Sequence, residues 1–256
     1  MAGAVDDYYD VNGNLNSLEH LQDIQWTYSN MIKSATRGTD TEHYIYSSSG
    51  QRVRKITQYA THSEEKIYLG GVEIRRRRDG GGTLTYEQSD HHVMDDSSRI
   101  AVVTTCTLNK TGTTSTKYLT AGTKRVRYQY SNHLGSASLE LDETGSFISY
   151  QEYFPFGGTS YTVGEVSTEY RFTGKERDDF SGLDYFGARY YASWMGRWMS
   201  ADPKRENHDG LNLFAYCRNS PVTLTDPDGM EVGIEGRDQN MHQIFLPELQ
   251  ERIIMQ

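Results

Sequence analysis

The chain has two cysteines, Cys106 and Cys217, and five prolines in 256 residues. Two cysteines make no disulfide framework and match no metal-ligand spacing, so both are expected as buried small apolar side chains. Basic charge is also short. A net charge of −9 argues against nucleic acid as the main partner, because phosphate binding needs a positive face. The only dense basic run, Arg75-Arg76-Arg77-Arg78, alternates faces at hairpin spacing and is expected in a solvated turn. No stretch approaches the roughly 18 apolar residues of a membrane span, and no N-terminal apolar run resembles a signal peptide. There is no glycine-rich phosphate cradle, nucleophile elbow or Cys/His nucleophile pair, and no cofactor is implied. His91-His92 with Asp95-Asp96 makes no metal site, since adjacent strand residues point to opposite faces.

Aromatics and glycine are abundant, with 19 tyrosines and 24 glycines. That composition favours strands joined by tight turns, and the aromatics argue for packing rather than disorder. A tyrosine-turn-glycine unit recurs, first over Tyr8 to Leu15. It returns over His43 to Ile56, where Tyr44, Tyr46, Val53 and Ile56 are expected inward, over Lys66 to Arg75, and over Val126 to Gly145. Asp79 to Gly82 and Thr111 to Thr116 read as hairpin tips. Helix signals are weak, the best being Gln239 to Gln256. No such unit buries its own apolar face, so neighbours must complete the core. An all-β, curled or spiralling antiparallel array is expected.

From Tyr128 onward an ordered series of motifs resembles the Rhs-associated core. It includes Asn132-His133-Leu134-Gly135-Ser136, Glu152-Tyr153-Phe154-Pro155-Phe156-Gly157 and Tyr170-Arg171-Phe172-Thr173-Gly174-Lys175-Glu176-Arg177-Asp178. It continues through Gly182 to Tyr191, Gly196 to Pro203, Gly210 to Tyr216 and Asn219 to Leu224, closing on Asp226-Pro227-Asp228-Gly229-Met230. About 100 residues in fixed order are far more specific than a lone short motif. The upstream hairpins at Asp10 to Asn14 and Gly50 to Lys55 are similar to YD repeats, especially those in the C subunit of insecticidal toxin complexes.

The resemblance implies a hollow β-shell, or cocoon, closed by a core plug that encloses a C-terminal polypeptide and releases it by autoproteolysis. The implied division is a YD-repeat shell segment at 1–127, an Rhs-associated core at 128–230, and a short remnant or truncated cargo at 231–256. The implied protease signature falls on Arg189, Asp202 and Asp226, with the cut between Met230 and Glu231. Paired carboxylates suit peptide hydrolysis because one can donate a proton while the other activates water. Asp202 is read as the base, Asp226 as the proton donor or orienter, with these two roles exchangeable, and Arg189 as the steadying charge. Lys175 and Arg197 are secondary candidates, each better explained as an ion-pair partner at a strand end.

A second reading is non-catalytic: a structural YD-repeat module that encloses cargo or binds a partner shell subunit. Asp-Pro pairs make turns without chemistry, and Asp202-Pro203-Lys204-Arg205 lacks the glycine usual two positions after the proline. Few hairpins cannot enclose a sizeable cavity, so a larger shell subunit is the expected partner beside the chain's own C-terminal segment. Secretion or delivery as part of a toxin complex is the expected destination.

Overall fold

A computed structural model of the chain describes residues 8–95, 98–115, 118–164, 168–204 and 212–233. The cargo segment proposed at 231–256, beyond its first three residues, and the helix signal at Gln239 to Gln256 lie outside them.

Twelve strands form one antiparallel meander in which every strand pairs with its sequence neighbour. They are β1 (Asp23–Trp26), β2 (Ile32–Arg37), β3 (Asp40–Tyr46), β4 (Arg52–Gln58), β5 (His62–Leu69) and β6 (Val72–Asp79), then β7 (Leu84–Asp95), β8 (Ser98–Asn109), β9 (Lys124–Ser131), β10 (Ala137–Asp142), β11 (Phe147–Tyr153) and β12 (Thr159–Gly164). A second, four-stranded sheet comes after them: β13 (Glu176–Arg177), β14 (Asp184–Tyr185), β15 (Tyr190–Ala192) and β16 (Arg197–Trp198). Position 127/128 falls inside β9, and the large sheet runs on to β12.

The recurring sequence unit is one turn chemistry used repeatedly. Asp10 Oδ1 accepts the amides of Asn12 and Asn14 at 2.8 and 2.9 Å, and Gly13 sits at φ +84°. Asp79, Asn132 and Asp142 repeat this two and four residues on, with Gly82, Gly135 and Gly145 in the left-handed region. The side chain satisfies the two amides the turn leaves unpaired, and glycine takes the conformation a Cβ resists. Register shifts in the flanking strands, as between Ile45 and Tyr46 and between Glu140 and Leu141, add the twist that curls the sheet.

Residues 168–178 lie against one face of the sheet and are held from strands far apart in it: Gln129 of β9 donates to Thr168 at 2.8 Å, Lys66 of β5 donates to the adjacent Glu169, also at 2.8 Å, and Arg52 of β4 donates to Glu176 at 2.7 Å.

Its inner face is charged rather than oily. Glu42, Arg52, Lys55, Thr57, Lys66, Glu73, Gln88, Asp90, Arg127 and Glu140 are all buried. Tyr44 and Tyr46 face inward as expected, but the β4 residues beside them are Arg52, Lys55 and Thr57, with Val53 and Ile56 only half-buried. The bulge opposite Tyr46 shifts the alternation, and the inner positions serve carboxylates arriving from the second sheet. Arg75 departs from the solvated-turn expectation for the same reason. It lies in mid-strand and grips Glu169 with two bonds of 2.6 and 2.7 Å, while Arg76 on the other face pairs with Glu87. Cys106 and Cys217 are both buried, as expected.

Two apolar clusters flank this charged zone. One joins Leu15, Leu21, Ile24, Ile32 and Tyr44 to Phe180, Leu183 and Tyr190, fastening the first hairpins to the second sheet and its loops. The other is aromatic, built of Phe172, Phe186, Tyr191, Trp198 and Tyr216, and is the floor on which the candidate site rests.

Candidate active site

Arg189 immediately precedes β15, and its neighbours Tyr190 and Tyr191 are fully buried, one in each apolar cluster. From this anchor the guanidinium lies over the face of Trp198 at 4.1 Å. The β15–β16 register, Tyr191 opposite Trp198, then carries the chain back past Arg189 to Asp202. The amide of Asp202 is fixed by a 3.1 Å bond to the Leu213 carbonyl.

Asp226 arrives by the turn chemistry of the hairpins. Its Oδ1 accepts the amides of Asp228, Gly229 and Met230 at 3.3, 2.7 and 3.1 Å, and Gly229 takes φ +79°. A Cβ on Gly229 would stand 3.0 Å from the Arg189 amide nitrogen, so the turn can press this close only with glycine there. With Oδ1 committed to the backbone, Oδ2 is left for chemistry.

Both carboxylates meet one atom. Arg189 Nη2 lies 3.1 Å from Asp202 Oδ2 and 3.3 Å from Asp226 Oδ2, so the two oxygens are no further apart than those contacts combined. Arg189 Nε also donates to the Gly229 carbonyl at 2.6 Å, fixing the backbone just before Met230. The missing glycine in the first Asp-Pro turn does not part the pair: Asp202 Oδ1 holds the Lys204 amide at 2.9 Å and Oδ2 still reaches Arg189.

Two carboxylates on one cation leave a negative charge unbalanced, and their surroundings differ. Asp226 is 1% exposed, and burial pushes its carboxyl up to about 6, against the opposing pull of Arg189 and the Gly229 amide. The Asp202 side chain is 13% exposed. A cleft of about 500 Å³, lined by Met31, Gln51, Phe186, Pro203, Asp228 and Met230, opens beside the turn and gives water a path.

Of the secondary candidates, Lys175 reaches the turn, donating to the Pro227 carbonyl at 2.5 Å. Arg197 lies over the Phe214 ring at 5.1 Å, and no ion pair joins it to either aspartate. Sequence reasoning missed Asp228, read only as a turn residue. Its Oδ1 accepts the amides of both Met230 and Glu231, at 2.9 and 3.3 Å. Lys204 was also missed; its ammonium pairs with Glu231. Its position directly after Asp202-Pro203 was the available signal.

The bond between Met230 and Glu231 lies in a loop closed at both ends. Thr225 and Gly233 exchange two backbone hydrogen bonds, of 3.1 and 2.8 Å, and Val232 packs on the aromatic cluster. The arrangement places two carboxylates of unequal exposure at a turn that ends at Met230, a setting suited to acid–base chemistry.

No family model matches the chain. It is similar to toxin subunit YenC1 of Yersinia entomophaga, 33% identical over 90% of this chain and 24% of that protein, and to toxin subunit YenC2 of the same organism, 36% identical over 88% of this chain and 24% of that protein. Among solved structures it matches the Photorhabdus luminescens Tc holotoxin pore containing TccC3, with TM-score 0.77 and 32% identity over 91% of this chain and 11% of that one. The chain spans about a quarter of the length of the two Yersinia relatives.

Proposed function

Because the chain belongs to the Rhs/YD-repeat family, in the branch of toxin-complex C subunits, we propose that it is the closing part of a toxin-delivery shell and that it severs its own backbone between Met230 and Glu231. In this reading residues 1–127 contribute to the shell wall, 128–230 form the core plug and the segment from Glu231 is cargo or its remnant. A larger shell subunit is its partner, and it leaves the cell as part of that complex. Among the described residues no helix is long and apolar enough to cross a membrane.

One observation carries the catalytic part: Asp202 and Asp226 converge on a single guanidinium nitrogen in a turn that ends at Met230. Asp202, the more exposed carboxylate, takes a proton from a water entering by the cleft, and the hydroxide adds to the Met230 carbonyl carbon. Arg189 offsets the negative charge, and Asp226 delivers its proton from Oδ2 to the Glu231 nitrogen as the amide bond breaks. Because the substrate belongs to the same chain, its effective concentration is high, and a modest acid–base pair suffices for a single turnover.

The test is intact mass. A fresh preparation incubated near pH 6 and then denatured for mass measurement is expected to resolve into a chain that ends at Met230 and a peptide running from Glu231 to Gln256. A full-length mass after prolonged incubation sinks the catalytic reading. It leaves the alternative, a non-catalytic plug, which the three amides on Asp226 Oδ1 favour as a purely architectural turn.

The reaction should also be acid-favoured. Asp226 must carry its proton to act as donor, and burial raises that group to about 6. Above that pH the protonated fraction falls tenfold per unit, so cleavage at pH 8 is expected about a hundredfold below its rate at the acidic plateau. Refolding the chain from urea into buffers between pH 5 and 8 and following the mass change measures this. A rate that climbs with pH would reverse the roles of donor and base.

A further inference from the structure

Hydrolysis at Met230–Glu231 creates a charge that was not there before. The amide carbon–nitrogen bond breaks, hydroxyl adds to the Met230 carbonyl carbon, and the Glu231 nitrogen gains a proton. Near neutral pH the new carboxyl releases its proton and the new amine takes up another from solvent. An uncharged amide becomes a carboxylate and an ammonium, and the groups around that nitrogen decide whether the new end stays or leaves.

We propose that Asp228 is a positioning residue for the leaving amine, holding the Glu231 nitrogen before the cut and pairing with the ammonium formed there afterwards, so that the new N-terminus stays docked. This rests on the self-cleavage reading above. Before the cut, Asp228 Oδ1 accepts the Glu231 amide at 3.3 Å and the Met230 amide at 2.9 Å, one on each side of the scissile bond. The carboxylate is held in place from its own backbone, because the Asp228 carbonyl accepts the Ala188 amide at 2.9 Å and the preceding Pro227 carbonyl accepts Lys175. An uncharged contact thus becomes a charge-assisted one as the bond breaks, with no atom needing to move far.

The next residues are tied by contacts that do not depend on the scissile bond. The Glu231 carboxylate pairs with Lys204, Val232 packs on the aromatic cluster, and Gly233 exchanges its two hydrogen bonds with Thr225. Beside the new Met230 carboxylate, Asp228, the new ammonium, Glu231 and Lys204 alternate in sign. Cutting and letting go are therefore separate events, and Asp228 belongs to the second as well as the first.

The experiment isolates nicked protein by gel filtration and follows amine-selective mass labelling of the Glu231 nitrogen against pH, beside a free peptide of residues 231–256. An α-amine ordinarily titrates near 7.7–8.0. Pairing with Asp228 shifts the labelling midpoint upward and slows labelling at pH 8 about threefold, as an exposed ion pair allows. Asp228→Asn keeps the oxygen that accepts both amides and returns the midpoint to that of the free peptide. About 1 M potassium chloride does the same in the unsubstituted protein, a check that needs no variant to cut. Equal midpoints in nicked protein and free peptide, or loss of the segment on the column, overturn the proposal. A chain that shows only its full-length mass fails earlier and differently, at the cleavage reading itself.

Discussion

Asp202→Asn is expected to keep the chain at its full-length mass under conditions where the unsubstituted chain is cut to completion. Asparagine retains an oxygen for the Lys204 amide, so the turn after β16 survives, and Asp226 keeps its own three amides. What disappears is the carboxylate assigned to accept the proton from water. Removing a general base lowers such rates by about 10² to 10⁴. A reaction needing an hour would then need days or longer. The variant also places an amide group against Arg189 Nη2, which leaves that cation with Asp226 as its single carboxylate and favours the ionised form of the proton donor. Both effects act in one direction, so the loss should lie toward the upper end of the range. The measurement is intact mass against time, with a melting curve to confirm the fold. Unchanged cleavage in a folded Asp202→Asn chain would remove Asp202 from the mechanism, and an unfolded one would be recognised by the melt.

The parts of the fold visible in the sequence are those whose cause is local. Asp10, Asp79, Asn132 and Asp142 each close a turn with their own side chain and a glycine three residues on, so a five-residue window contains the whole explanation. The inner face was not legible, because alternation along β4 says which residues share a side but not whether that side meets oil or charge. Lys66 is buried and Arg75 half-buried because Glu169 and Glu176 arrive from about a hundred residues away. The candidate site lies between these cases. Arg189, Asp202 and Asp226 could be named from their place in an ordered family pattern, yet nothing local predicts that two carboxylates share one nitrogen. Asp228 escaped because its turn chemistry explained it fully, and only the position of the Glu231 amide shows a second use.

Glu176→Gln should cost the fold more than any surface change of the same kind. Glu176 is the centre of the contact between the large sheet and the second sheet: Arg52, Lys55 and Lys66 lie 2.7, 3.1 and 2.8 Å from its oxygens, and the Tyr68 hydroxyl donates at 3.0 Å. All three cations are buried, and they hold its carboxyl far below the ordinary carboxylate range despite the opposing cost of burial. Glutamine fills the same space but withdraws the charge and turns an amide N–H₂ toward a cation. Losing one member of a buried ion group costs about 3–5 kcal/mol, because its partners stay desolvated without compensation. Against a total of about 5–15 kcal/mol that is a large fraction, and for a chain of this size it lowers Tm by about 6–20 °C. Glu87→Gln is the comparison, since Glu87 pairs with Arg76 on the outer face where both are roughly a third exposed, and its loss should cost under about 1 kcal/mol. Acid should reproduce the buried effect. Glu169 and Glu176 both titrate below their unfolded-state values, so their contribution is complete above about pH 4.5 and drains away as pH falls from there toward their folded values. Equal melting shifts for the two glutamine variants would mean that the charged inner face does not hold the second sheet, and that the two apolar clusters carry the attachment alone.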